Sequence, residues 1–138
     1  MRLLFGLTVI ALTVACGTSK VSRDRYKDLH VIYGSGGGFT GAIEQYEVNS
    51  KGDLYRISIP GDTTFLRTIS KSQHKELRRL IQSDTLNKLS YNLGANMSSF
   101  LYVWSKAGSL HSFQWNISDK QLPKPLFQLD SFLNTLNK

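Results

Sequence analysis

With one cysteine, Cys16, the chain cannot be held by an internal disulfide, and no Cys/His spacing in it makes a structural zinc site. The fold must stand on its core. Catalytic signatures are missing too. Gly34-Ser35-Gly36-Gly37-Gly38-Phe39 lacks the third glycine of a dinucleotide fingerprint, and no Gly-Lys-Ser/Thr comes after it to cradle phosphate. His30, His74 and His111 are scattered, with no acidic partner at a metal-ligand spacing. Ser35 is not a nucleophile elbow, because that frame needs glycine at position 33, where Tyr33 stands. These absences argue against catalysis and imply no cofactor and no metal. The apolar run Leu3–Leu12 falls short of the roughly 20 residues that span a bilayer. Acidic residues are few, 10 against 17 basic ones, so the surface suits anionic lipid, anionic polysaccharide or acidic protein patches.

Glycine, by contrast, is concentrated. Five of the chain's 11 glycines lie between Gly34 and Gly41, around the single aromatic Phe39. Glycine loses more backbone freedom on ordering than any other residue, so a cluster fits where φ is positive or another backbone comes close. The β-rich Val31-Ile32-Tyr33 leading into it predicts a shaped corner between strands; a flexible linker is the other reading. Gly36, Gly37, Gly38, Phe39 and Gly41 are the candidate binding residues. Phe39 either plugs the core beneath the corner, the reading the sequence slightly favours, or is held out toward a partner.

At the start, Arg2 and an apolar run of signal-peptide length lead into Leu12-Thr13-Val14-Ala15-Cys16-Gly17. This resembles the lipobox of bacterial lipoproteins, with Thr13 where Leu, Val or Ile is usual. The resemblance implies that residues 1–15 are removed and that Cys16 is acylated, anchoring the chain to a lipid bilayer of the cell envelope. Gly17 in place of Asp implies the outer membrane in a Gram-negative cell. Removing Arg2 lowers the formal net charge from +7 to +6. Nucleic acid is not an expected partner for such a protein. Residues 16–28 read as a polar tether, which would hold the domain roughly 20 Å from the bilayer. Residues 29–138 make one domain of ordinary size.

That domain reads as α+β, an antiparallel sheet of about five strands with two helices packed on one face. Strands are expected at Leu29–Tyr33, Ala42–Val48 and Leu54–Ile59, and Thr63–Ile69 is a further short candidate. In the third, Tyr55, Ile57 and Ile59 alternate with Leu54, Arg56 and Ser58, which predicts that the first set faces the helices. Ser70 and Gln73 have capping-box spacing before a helix predicted over 71–84, with Leu77, Leu80 and Ile81 on its apolar side. Lys71, Lys75 and Arg78 form a basic stripe opposite, which is ordinarily a solvated face. Residues 86–98 predict a loop over one sheet edge. Lys106-Ala107-Gly108 joins a hairpin carrying Trp104 and Trp115, both expected in the core. Pro123 and Pro125 open a closing helix with Leu126, Leu129, Phe132, Leu133 and Leu136 at helical spacing.

The glycine run, Leu77 and Leu80, Tyr102-Val103-Trp104 with Gly108 and His111, and Pro125-Leu126 through Leu129, Leu133 and Leu136 together resemble the emfourin family. The likeness spans most of residues 30–136, its specific part being Gly36–Gly41. It implies an α+β fold and inhibition of a thermolysin-like metallopeptidase. Thr40 stands where the family usually has Ala, residues 49–69 look inserted, and a lipoprotein signal is added. Two functions are therefore expected. One is a membrane-anchored, non-catalytic binding module, with a peptidase as its protein partner in the envelope. The alternative is a structural or assembly lipoprotein that binds an anionic envelope component through its basic surface.

Overall fold

The computed structural model describes residues 25–58 and 61–138. The signal run, Cys16, residues 17–24 of the expected tether and Ile59 lie outside the described residues. The chain builds, in order, β1 (His30–Gly37), β2 (Ile43–Val48), β3 (Asp53–Ile57), β4 (Thr63–Thr68), α1 (Lys71–Ile81), α2 (Asp84–Asn87), β5 (Met97–Ser105), β6 (Gly108–Asn116) and α3 (Lys124–Leu136). The strands form one antiparallel sheet in the order β4-β3-β2-β1-β5-β6. The α+β class stands, with six strands among the described residues instead of about five, and a third, short helix. That helix arises because Ser83 closes α1 and caps α2 at once: its hydroxyl donates to Leu80 O at 2.9 Å and accepts from Leu86 N at 3.3 Å.

Alternation along the strands sends one set of side chains under the helices. Val31, Tyr33, Val48, Leu54, Leu101, Val103, Phe113 and Trp115 share a buried cluster with Leu77, Ile81, Leu86 and the four leucines of α3. The capping box at α1 is complete, Gln73 N donating to Ser70 Oγ at 3.1 Å and Ser70 N to Gln73 Oε1 at 2.9 Å.

Three expectations are corrected here. In β3 the buried residue is Leu54, paired with Val48, while Tyr55 and Ile57 lie on the opposite, open face, where Tyr55 packs edge-on against Phe65 at 5.6 Å. Trp115 is buried, but Trp104 is 41% exposed on the open face, stacked on His30 at 4.3 Å. Leu101 and Val103 point inward, so alternation along β5 turns Trp104 to the other face; the bulge opposite it is on β6, where Leu110 is the extra residue. Finally, Arg25–Asp28 are part of the fold. Tyr26 is buried and its hydroxyl donates to Asn87 Oδ1 at 2.7 Å, while Arg25 O accepts from Ser105 Oγ at 2.7 Å.

The expected loop over a sheet edge is a strap along β6. Leu93 N donates to Gln114 O at 2.8 Å, and Asn92 bridges Gln114.

Candidate functional site

The glycine corner is the β1–β2 turn, and it is pinned on two sides. Gly37 N donates to Ala42 O at 3.2 Å, Gly41 N to Gly38 O at 3.3 Å, and Gly38 N crosses to Asn96 O at 2.7 Å, just ahead of β5. Two of the glycines are dictated by their surroundings. A Cβ on Gly34 would sit 2.0 Å from Glu44 O, and one on Gly37, where φ is +107°, would sit 2.1 Å from Asn96 O. Gly36 faces Ile43 across the β1–β2 ladder and Gly38 lies over the Met97 side chain. The candidate glycines and Phe39 are therefore brought together in one loop.

Phe39 does not plug the core. It stands fully exposed at the tip, and Ile43, Met97 and Ile117, each more than two-fifths exposed, share that end of the sheet. Ile43 and Met97 pair with Gly36 and Gly37, and Ile117 N donates to Met97 O. Leu101, Phe113 and Trp115 are buried in the core without Phe39. The glycine signal located this patch; Met97 and Ile117 joined it only through strand register.

A second feature lies below the corner on the helix side. A cavity of about 290 Å³ opens between the β1–β2 ladder and the C-terminal half of α3, walled by Tyr33, Glu44, Tyr46, Trp115, Asp130 and Asn134. The Tyr33 and Tyr46 rings stack at 5.6 Å. The Tyr33 hydroxyl donates to Asn137 Oδ1 at 2.6 Å, and that of Tyr46 to Glu44 Oε1 at 2.5 Å. Burial, reinforced by Tyr46, holds the Tyr33 phenol far above its ordinary range. Burial also raises the Asp130 carboxyl, partly offset by its hydrogen bond with Asn134. Sequence reasoning did not single out this site. Its one signal is the polar series Asp130, Asn134 and Asn137 at helical intervals beside the leucines of α3.

The basic stripe of α1 is also assembled. Lys71, Lys75 and Arg78 line a shallow groove with His74, Arg79 and Gln82. Arg78 leans away to donate to Tyr26 O at 3.2 Å, and Arg79 pairs with Glu76 at 2.6 Å. Among the described residues, no three His, Cys, Asp or Glu side chains gather as metal ligands would.

His111 is buried against Phe113, and its Nε2 has no hydrogen-bond partner. Burial pulls its imidazole below the ordinary 6.5, with Arg25 acting the same way and a backbone contact at Ile81 opposing. The native ring thus stays neutral where the unfolded chain takes up a proton. Stability present above about pH 6.5 should be lost as the pH falls below it. His111→Leu should reduce the drop in urea midpoint between about pH 7 and pH 5, leaving the same-sign contribution of His74, whose burial and Arg78 neighbour also depress it. An unchanged drop would show that His111 protonates freely in the fold.

No protein-family model matches the chain, and a search of curated proteins gives no match.

Proposed function

We propose that the chain is a non-catalytic binding module of the bacterial envelope, held to the membrane through acylated Cys16, and that it captures a protein partner with the loop around Phe39. The observation that supports this most is the full exposure of Phe39 on a loop pinned by three backbone hydrogen bonds. A large aromatic left in water gains nothing for folding, whereas an exposed ring on a pinned loop, at the end of the sheet that also exposes Ile43, Met97 and Ile117, suits an interface anchor. The emfourin-like run Gly36–Gly41 supplies the partner's class, a thermolysin-like metallopeptidase exported to the envelope. A second reading draws on the α1 groove of Lys71, Lys75 and Arg78, whose charge suits an anionic envelope polymer or lipid. Salt-sensitive retention on such a polymer without inhibition would favour it.

The test is titration of an exported thermolysin-like peptidase with the mature chain. Wild type should inhibit, and Phe39→Ala should weaken inhibition by roughly 30-fold or more, the loss of one aromatic anchor worth about 2 kcal/mol. Its unfolding free energy from urea denaturation should stay within about 0.5 kcal/mol of wild type, as for any surface change. Equal inhibition by the variant, or none by wild type, would sink the reading. Fractionation of Cys16→Ser checks the anchor: the variant should leave the membranes, and full retention would refute acylation at that site.

A further inference from the structure

We propose that the cavity between the β1–β2 ladder and α3 is a binding site for a primary ammonium group carried on a short alkyl chain. Four independent features of its wall favour such a cation. Glu44 and Asp130 both reach it, and among the described residues neither carboxylate has a Lys or Arg nitrogen within 4.0 Å. This is notable in a chain whose basic residues outnumber its acidic ones 17 to 10, where a counter-charge was readily available. Next, the cavity lies at the C-terminal half of α3, the negative end of its dipole, and that helix has no basic residue in its last turn. Arg67 donates to Leu136 O at 2.8 Å and offsets part of that negative end, but the cavity's two carboxylates have no such partner among the described residues.

Third, the walls are aromatic. Tyr33, Tyr46 and Trp115 offer ring faces that attract a cation and cover an alkyl stem. Fourth, Asn134 and Asn137 add amide oxygens, and an ammonium group has three donors to place and no acceptor to satisfy. An anion would meet two carboxylates and a helix C-terminus and would be repelled. At about 290 Å³ the cavity sits at the small end of ligand sites, enough for one amino-acid side chain or a small amine and too small for a cofactor. The ammonium group can arrive on a free amine or on a lysine of a partner protein, since the recognising chemistry is the same. This inference does not use the loop tip at Phe39, although Ile117 borders both the exposed patch and the cavity.

The experiment is an NMR titration of the mature chain with N-α-acetyl-lysine amide, following the Trp115 indole and the Asn134 and Asn137 side-chain amides. Saturable shifts at those signals are expected. The norleucine analogue, which keeps the four-carbon chain and lacks the ammonium group, should bind at least 10-fold more weakly. Asp130→Asn should weaken lysine-probe binding at least 10-fold with the remaining spectrum unchanged, and Glu44→Gln should do so if the first variant unfolds. Equal shifts with the norleucine analogue, or undiminished binding by both variants, would overturn the proposal, as would calcium ions displacing the probe at equimolar concentration. Cadaverine competing as well as the probe would identify a free amine as sufficient. Competition only by a lysine flanked by peptide would identify a partner side chain. Failure of peptidase inhibition would leave these results untouched.

Discussion

Gly34→Ala should unfold at a markedly lower urea concentration than the parent, with a loss of about 3 kcal/mol or more. The added Cβ would lie 2.0 Å from Glu44 O and 3.0 Å from Gln45 Cα, both main-chain atoms of the paired strand. A flexible side-chain tip could swing aside, but a backbone carbonyl in a ladder cannot without parting β1 from β2. Gly37→Ala should be as costly, because it adds a strained φ of +107° to a contact 2.1 Å from Asn96 O. Gly41→Ala is the internal control. Its φ is +62° and nothing lies within 4 Å, so it should lose only the left-handed penalty of about 1–2 kcal/mol. A Gly34→Ala midpoint equal to that of Gly41→Ala would show that the strands are not so close.

Leu129→Ala should cost about 2–5 kcal/mol, the range for deleting a fully enclosed leucine side chain. Leu129 has no exposed surface, and Leu126, Leu133 and Leu136 repeat that condition along α3. The helix has no side-chain cap at its start, where Pro123 stands, so its attachment depends on this leucine face. Neighbouring Phe127 is 57% exposed, and Phe127→Ala should change stability by no more than about 0.5 kcal/mol. Chemical denaturation of the pair measures both. If the two variants unfold together near the parent midpoint, α3 is not docked.

Features encoded by near neighbours are legible in the sequence. The Ser70–Gln73 capping box, the tight turn before Gly108 and the leucine spacing of α3 each depend on residues within a few positions of one another. The face of β3 is not legible. Alternation says that Leu54 and Tyr55 point opposite ways; only pairing of Leu54 with Val48 decides which is inside. Trp104 and Trp115 look alike in sequence, and only register separates their fates: Trp104 lies one residue out of step with buried Leu101 and Val103, whereas Trp115 is in step with buried Phe113. The glycine corner is legible as a turn because glycine clusters are costly. The orientation of Phe39 is not, since it depends on whether the core below is already full. The cavity beside α3 is hidden most completely, because Glu44 and Asp130 meet only after β2 has joined the sheet and α3 has folded over it.

The strap of residues 91–93 has a bearing on how these molecules behave beside one another. An antiparallel sheet ends in rows of unpaired amide groups, and such rows recruit strands from other chains. On β6, Gln114 O already accepts from Leu93 N and Gln114 N donates to Tyr91 O, so an incoming strand would have to peel the strap away first. At the other border, β4 meets β3 through a bulge and ends within six residues, which leaves little straight edge to copy. Under the proposed acylation of Cys16, chains gathered on a membrane would meet one another at high local concentration. Both borders of the sheet are poor templates, so close packing of neighbours need not grow into a shared sheet.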